Sequence, residues 1–438
     1  MKTVIITGGG AAGMMAAISA SLAGKKVILL EKNEKLGKKL FITGKGRCNI
    51  TNACEPEDFL SHVSTNSRFL YSSFSRFNNR DMVRLLNDAG LKTKVERGQR
   101  VFPLSDHSSD VIGTLKRLCD RNHVEIHYHA QVSEILLTPA GENVQGSGDG
   151  AKDAEYISCD KGKEGRPAFA GVRLSDGRVI RGDSLILAAG GSSYASTGSD
   201  GSGCRLAASI GHKITPLYPS LAPFIMKESW CRELMGLTLK NVSIRVKNKK
   251  KLVYEGFGEF LFTHFGVSGP LVLTASTCLG KHQKALQVGE LTLHLDLKPA
   301  LTEEQLEKRY LKEFDTYRNK NISNVMERML PKKMVPVFLH EAGIAPEKKV
   351  REITKKERRH MEMLMKDMVL HIVGVRGFEE AIVTRGGVSV KEVSPTTMES
   401  RLVENVFFAG EVLDVDAVTG GFNLQIAWST GYTAGYFA

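Results

Sequence analysis

The sequence predicts an α/β protein whose Rossmann-like nucleotide-binding domain is assembled from both chain ends. An inserted, mostly-β domain and a small helical subdomain interrupt it. Three observations predict this. Residues 3 to 31 read strand, glycine-rich turn, helix, strand, which is a βαβ unit. Ser184 to Ala189 and Asn405 to Ala409 are two further apolar strands, each running into glycine, far apart in the chain. Between them the texture changes to alternating β-branched residues and then to charged, helix-periodic sequence.

Taken in order, residues 3–7 form a buried strand, 11–24 a helix and 26–31 a second strand. Residues 59–90 read as helical, with Phe59, Val63, Phe69, Phe74, Phe77, Val83 and Leu86 loosely periodic. Residues 111–122 make an amphipathic helix with Val111, Leu115 and Leu118 on one face, and His123 to Leu137 alternates like a strand. Gly, Asp, Lys and Ser dominate from Pro139 to Arg166, which predicts a long exposed loop within a hairpin. Residues 170–180 give strand, tight turn and strand. Residues 236–263 and 289–298 supply the inserted β texture, 302–365 the helical subdomain, and 380–393 returns to strand. Gly421 to Phe437 closes the chain as a helix. The expected domains are therefore 1–192 with 394–438, 193–300 with 366–393, and 301–365.

The composition is that of an ordinary globular chain, 42% hydrophobic and 25% charged. No apolar run is long enough to span a bilayer. The strand-like run from Thr3 passes straight into glycines and a helix, so no secretory leader is expected. Seven widely spaced cysteines without a C-x-x-C pair suit reduced thiols in a cytoplasmic location. The net charge of +12 gathers in runs such as Arg245 to Lys251 and Lys348 to His360. These runs lack interleaved aromatics and no nucleic-acid motif appears, so they read as solvated surface rather than a nucleic-acid site.

Thr3-Val-Ile-Ile-Thr7 leads into Gly8-Gly-Gly10-Ala11-Ala12-Gly13, a G-x-G-x-x-G turn opening a helix. The first glycine permits the turn, the second lets backbone approach a pyrophosphate, and the third lets helix and strand pack closely. The helix start offers N–H groups and partial positive charge to the phosphates. Glu31 ends the second strand, where an acid accepts hydrogen bonds from a ribose diol. This much fits NAD or FAD. Leu185-Ile-Leu-Ala-Ala189-Gly190-Gly191 and Val406-Phe-Phe-Ala-Gly410-Glu411 end in small residues beside the expected cofactor. Gly420-Gly421-Phe-Asn423-Leu424 opens the last helix, whose amides stabilise negative charge on a reduced flavin. A dehydrogenase using NAD alone has no need of that far-end apparatus, so the cofactor expected is FAD.

The chain also resembles the BaiN/HI0933-like family of bacterial flavoproteins. The resemblance is carried by Gly8 to Gly13, Thr43-Gly-Lys-Gly-Arg-Cys-Asn-Ile-Thr-Asn52, Phe262-Thr-His-Phe-Gly-Val-Ser-Gly-Pro270, Gly410 to Asp414 and Thr419 to Gly431. It implies an FAD domain of the two-dinucleotide-binding-domain type made from both chain ends, an inserted β domain and a helical cap. It also implies oxidoreductase activity. Members are assigned to reduction of conjugated double bonds in oxidised bile acids or to aminoacetone-type amine oxidation. The segment from Gly191 to Gly203 is distantly similar to fumarate-reductase flavoproteins, which favours alkene reduction. Lys45, where many relatives carry glycine, and Phe422, where tyrosine is frequent, depart from the pattern.

Flavin chemistry needs a substrate stacked on the ring, and the protein supplies placement and electrostatics. Thr43 to Asn52 is expected to line the flavin or pyrophosphate, with Gly44, Gly46, Arg47, Cys48 and Asn49 as contacts; Lys32, Lys39 and Val132 join the cofactor set. Cys48 and Cys54 are spaced C-x5-C, one residue longer than the pair of disulfide-reductase flavoproteins, and so are weak redox candidates. His264, in Phe-Thr-His-Phe-Gly, is the candidate proton donor. Arg376 and Arg385 are weaker candidates for binding an anionic group. The cluster His123, His127 and His129 has no acid or cysteine at ligand spacing, so no metal is expected. No second glycine fingerprint appears, so NAD(P)H is expected only as a transient donor docking over the flavin. The favoured reading is reduction of an activated C=C bond in a small molecule. The alternatives are an oxygen-dependent amine oxidase and, from another class, an RNA-associated flavoprotein.

Overall fold

A computed structural model describes residues 1–139 and 165–438, and most of the loop expected over 139–166 lies outside the described residues. The chain divides into two compact units, Met1–Tyr218 with Ile382–Ala438, and Pro219–Ala381.

In the first unit, β1 (Thr3–Thr7), α1 (Ala11–Leu22) and β2 (Lys26–Leu30) form the expected βαβ unit. β1 pairs in parallel with β2 on one side and with Ser184–Leu187 on the other. Val406–Phe408 and Glu125–His127 complete the parallel sheet at its two edges. A parallel sheet is covered on both faces, which is why its strands read as unbroken apolar runs rather than alternating ones. Val4, Ile5, Ile6, Leu185, Ile186 and Leu187 are accordingly fully buried.

α1 is apolar nearly all round, with Met14, Met15, Ala16 and Ala17 buried, as a helix packed on several sides must be. Its partner on one side is the C-terminal helix Phe422–Phe437. The contact is made by backbone. A Cβ on Gly431 would lie 2.4 Å from the Ala12 carbonyl oxygen, and one on Gly435 would lie 2.3 Å from that of Ala16. Ser19 Oγ donates to the Tyr432 carbonyl at 2.7 Å, and Lys25 Nζ caps the helix end at the Gly435 and Tyr436 carbonyls. Trp428, fully buried, donates its indole N–H to the Ile50 carbonyl at 3.0 Å.

Two sequence expectations need correction here. Residues 59–90 do not form one helical stretch. The helices are Pro56–Phe59, Tyr71–Arg76 and Asn79–Asp88, with left-handed Asn66 between them. Asn78 and Asp81 form a capping box that starts the last of these, so local side-chain capping overrides the loose apolar period. Residues 123–137 are two strands, not one. His129 takes a φ of 54° and separates Glu125–His127 from Val132–Thr138, which pairs antiparallel with Ala168–Leu174. The turn follows the end of β2, where Ala130 N–H donates to the Glu31 carbonyl at 2.9 Å.

The second unit is a closed antiparallel barrel. Its strands run, in spatial order, Phe224–Met226, Gly266–Ser268, Lys251–Thr263, Thr238–Asn248, Leu291–Asp296 and Met368–Val375. The helices Glu303–Thr316, Val335–Glu341 and Lys355–Lys366 share its core, burying Tyr310, Phe338 and Met365 with Ile244, Phe260 and Leu293. Thr302 and Thr354 start two of these helices with capping boxes.

Candidate functional site

The glycines at the end of β1 do three different jobs. Gly8 has a φ of 101°, and a Cβ there would lie 2.5 Å from the Ala188 carbonyl oxygen. A Cβ on Gly13 would lie 1.8 Å from the Gly8 oxygen, so only glycine lets α1 sit this close to the strand end. Gly10 differs: a Cβ there meets nothing within 4 Å, because it projects into a cleft. The cleft has an empty volume of about 1310 Å³ counting its open mouth. No side chain caps α1, and Ala11 and Ala12 of its first turn line the cleft wall. This is room that a backbone-hugging ligand requires and a side chain would fill.

The cleft wall includes Glu31, 6% exposed. Its Oε2 accepts from Gly9 N–H at 2.7 Å, and its Oε1 from Asn33 N–H and Asn33 Nδ2 at 2.8 and 2.7 Å. The carboxylate is thus fixed while still facing the cleft. Beside it Lys32 pairs with Asp200 at 2.9 Å. Burial pushes the Asp200 carboxyl up, but hydrogen bonding from Ser202 and Lys32 outweighs this and draws it down to about 2.

Elsewhere on the cleft wall Lys39 Nζ donates to Glu411 Oε2 at 2.7 Å, and the opposite oxygen of Glu411 accepts from Thr384 N–H at 2.7 Å. Asn423, in the first turn of the C-terminal helix, ties down residues 417 and 418. It accepts from Ala417 N–H at 2.9 Å and donates to the Ala417 carbonyl at 2.8 Å. Gly421 precedes that helix with a φ of 98°, and a Cβ there would lie 2.4 Å from the Thr51 carbonyl. The start of the C-terminal helix therefore abuts the chain at Thr51.

Of the residues singled out in sequence, the cleft gathers Gly8, Gly10, Ala11, Ala12, Glu31, Lys32, Lys39, Val132, Ala189, Gly190, Gly410, Glu411, Asn423 and Leu424. Gly13, Gly191, Gly420 and Gly421 stand behind its wall. Gly191 is packed on Thr384, whose Oγ1 accepts from Ser192 N–H at 2.7 Å. The segment with Gly44, Gly46, Arg47, Cys48 and Asn49 touches the cleft only through Thr43. Arg47 is engaged by Glu96 and Asp106, each at 2.5 Å, and stacks on Phe102. Asn49, with its amide oriented to satisfy both neighbours, accepts from Gly421 N–H at 3.0 Å. Cys48 is fully buried and its thiol is pushed up to about 12 by burial. Burial, with Asp58 nearby, also raises the Cys54 thiol, so neither is poised as a thiolate.

His264 belongs to the second unit, at the turn between the strands Lys251–Thr263 and Gly266–Ser268. Its ring stands edge-on to Phe265, over which Arg376 lies at 4.8 Å while hydrogen-bonding Glu380. The cleft also takes in Thr7, Asn33, Gly37, Lys38, Leu40 and Ser199, which the sequence reading did not single out. Thr7 ends β1 and Asn33 lies three residues past β2, at the strand ends where α/β sheets place ligands, and that signal was readable. Ser199 lies in the stretch from Gly191 to Gly203 that the resemblance marked. Among the described residues no group of His, Cys, Asp or Glu is arranged to hold a metal ion, and no helix is long and apolar enough to cross a membrane.

A parallel sheet carrying a three-glycine turn, a buried acid just past β2 and a second helix start on the same cleft defines a Rossmann-type FAD-dependent oxidoreductase. The chain belongs to the HI0933-like protein family, whose Rossmann domain matches residues 2–437. It is similar to the 3-dehydro-bile acid delta(4,6)-reductase of Clostridium scindens, with 30% identity covering 99% of this chain and 98% of the relative. It is similar as well to the ribosomal RNA dihydrouridine synthase of Escherichia coli, with 28% identity covering 98% and 96%. Among solved structures, 3-ketosteroid delta1-dehydrogenase from Sterolibacterium denitrificans shares the fold, with a TM-score of 0.50 and 12% identity over 99% of both chains.

Proposed function

We propose that the protein saturates a carbon–carbon double bond conjugated to a carbonyl, with FAD as hydride carrier and NAD(P)H as electron donor. One observation carries this reading: two relatives matched over nearly their whole length bear names that describe this one transformation on very different molecules. A delta(4,6)-reductase acting on a 3-oxo steroid and a dihydrouridine synthase both add two hydrogens to an alkene next to a carbonyl.

In this reading the cleft holds FAD. Gly8, Gly10 and the N–H groups of Ala11 and Ala12 receive the pyrophosphate, and Glu31 receives the adenosine ribose. Lys39, Gly410, Glu411, Asn423 and Leu424 hold the flavin end. Bound there, the flavin supplies a hydride at N5. The balance is simple. Hydride adds to the β carbon, the π electrons move toward the carbonyl oxygen, a proton is delivered to the α carbon, and NAD(P)H ends as NAD(P)+. His264 is the group we assign to hold that proton. The favoured substrate is a small molecule bearing an activated enone.

A second reading, reduction of a uridine within RNA, is favoured by the net charge of +12 and by exposed Lys249, Lys250 and Lys251 at one hairpin tip. Anaerobic stopped-flow separates the readings. NADH or NADPH should bleach the flavin, and the reduced enzyme should then be reoxidised by a 3-oxo-4,6-diene steroid or by ribosomal RNA lacking dihydrouridine. Reoxidation by RNA alone, steeply dependent on salt, selects the RNA reading. Reoxidation by neither, with peroxide released on amines in air, overturns the proposal. His264→Ala should slow reoxidation by the alkene while leaving flavin content unchanged.

A further inference from the structure

One hydroxyl on the cleft wall is left without a partner. Ser199 is 5% exposed, lines the cleft and has a buried Oγ with no hydrogen-bond partner. A buried hydroxyl left unpaired destabilises a fold, so such groups are rare and point to a missing partner.

Local movement does not supply one, because the chain around Ser199 is tied on both sides. Asn33 Nδ2 donates to the Thr197 carbonyl at 3.2 Å, and Lys32 pairs with Asp200 at 2.9 Å. Gly201 N–H donates to the Gly191 carbonyl at 2.9 Å, and Ser202 N–H to Asp200 Oδ1 at 3.0 Å. Gly198, with a φ of 106°, lies so near Asn33 that a Cβ would stand 2.6 Å from its Nδ2. Across the cleft wall, a Cβ on Gly190 would stand 2.9 Å from Ser199 Oγ. Residues 197–202 therefore form a strap latched to Lys32 and Asn33, the two residues after Glu31, and the strap fixes one unpaired hydroxyl on the cleft wall beside Gly190.

We propose that Ser199 Oγ donates a hydrogen bond to the ADP half of the bound dinucleotide, and that the Lys32–Asp200 and Asn33–Thr197 ties exist to present it. The proposal rests on the reading of the cleft as the FAD site. Ser199→Ala is nearly isosteric, so its effects on folding and on binding are expected to have opposite signs. With its unpaired hydroxyl gone, the apo variant should melt at the wild-type temperature or above it. Its Kd for FAD, and for ADP used as a probe of that half, should each weaken by about 3- to 10-fold, the worth of one neutral hydrogen bond.

Titration calorimetry on apo protein, with thermal melts of the same samples, decides the matter. Unchanged Kd values overturn the proposal, as does a weakening seen with FAD but not ADP. A weakening that comes with a lower apo melting temperature also overturns it, since that marks a structural serine. If wild-type protein binds neither ligand, the cleft reading itself falls, a result distinct from all of these.

Discussion

Gly10→Val is the sharpest test of where the cofactor lies, because the structure separates its effect on folding from its effect on binding. Gly10 has φ −82° and ψ −165°, an extended conformation that valine adopts freely. Its Cβ direction is empty to 4 Å. The fold should therefore lose only about 1 kcal/mol, the difference between glycine and a poor N-cap residue. The side chain would instead fill the cleft in front of Ala11 and Ala12. If the phosphates bind there, two hydrogen bonds to a charged group are lost, each worth about 1.5–3 kcal/mol. The sum, about 3–6 kcal/mol, is about a 10²- to 10⁴-fold increase in Kd for FAD. Apo protein titrated with FAD by fluorescence gives Kd, and circular dichroism reports the fold. A folded variant that binds FAD within a few-fold of wild type would refute the placement of the pyrophosphate.

Three further outcomes follow from the geometry. Gly435→Leu drives a Cβ to within 2.3 Å of the Ala16 carbonyl, so urea denaturation should show a loss of about 3 kcal/mol or more; a loss under 1 kcal/mol would contradict the backbone contact. Cys48, with its thiol pushed up to about 12, should resist alkylation at pH 8 while the protein is folded, and mass spectrometry finding it modified, or bridged to Cys54, would restore the redox pair. Against the upward push of burial, hydrogen bonds from Ser202 and Lys32 draw the Asp200 carboxyl from its ordinary 3.8 down to about 2, so it contributes stability above pH 3.8 that is lost as pH falls toward 2. Asp200→Asn should flatten that part of the acid-stability profile, and an unchanged acid limb would remove Asp200 from the latch.

What the sequence made legible is what lies close along the chain. The turn from Gly8 to Gly13 and the acid at Glu31 belong to one βαβ unit, and each glycine's job follows from spacing alone. Arg47 shows the limit. Its sequence context suggested a cofactor contact, but its charge is engaged by Glu96 and Asp106, 49 and 59 residues away, and nothing local announces that pairing. For Ser199 the resemblance marked the stretch from Gly191 to Gly203, but the tie that fixes it was hidden for the same reason: Asn33 lies 164 residues from Thr197. Barrel closure was hidden differently. The strands Phe224–Met226 and Gly266–Ser268 have three residues each, too few to display a period, yet they close the ring.

The packing of α1 on the C-terminal helix explains why one cleft has two helix starts. Gly431 sits at Ala12 and Gly435 at Ala16, so advancing four residues on one helix matches four on the other. The helices therefore run parallel, with both N-termini toward the cleft. Phe422 precedes Gly431 by nine residues, whereas Ala11 precedes Ala12 by one. The C-terminal helix thus begins eight residues further out, about 12 Å along the axis at 1.5 Å per residue. Two partial positive charges offset by that length suit a ligand with anionic groups far apart, and a mononucleotide would reach only one. Because the glycine contacts set the offset, a bulky residue at 435 should weaken FAD binding as well as the fold, even though it lies far from the cleft.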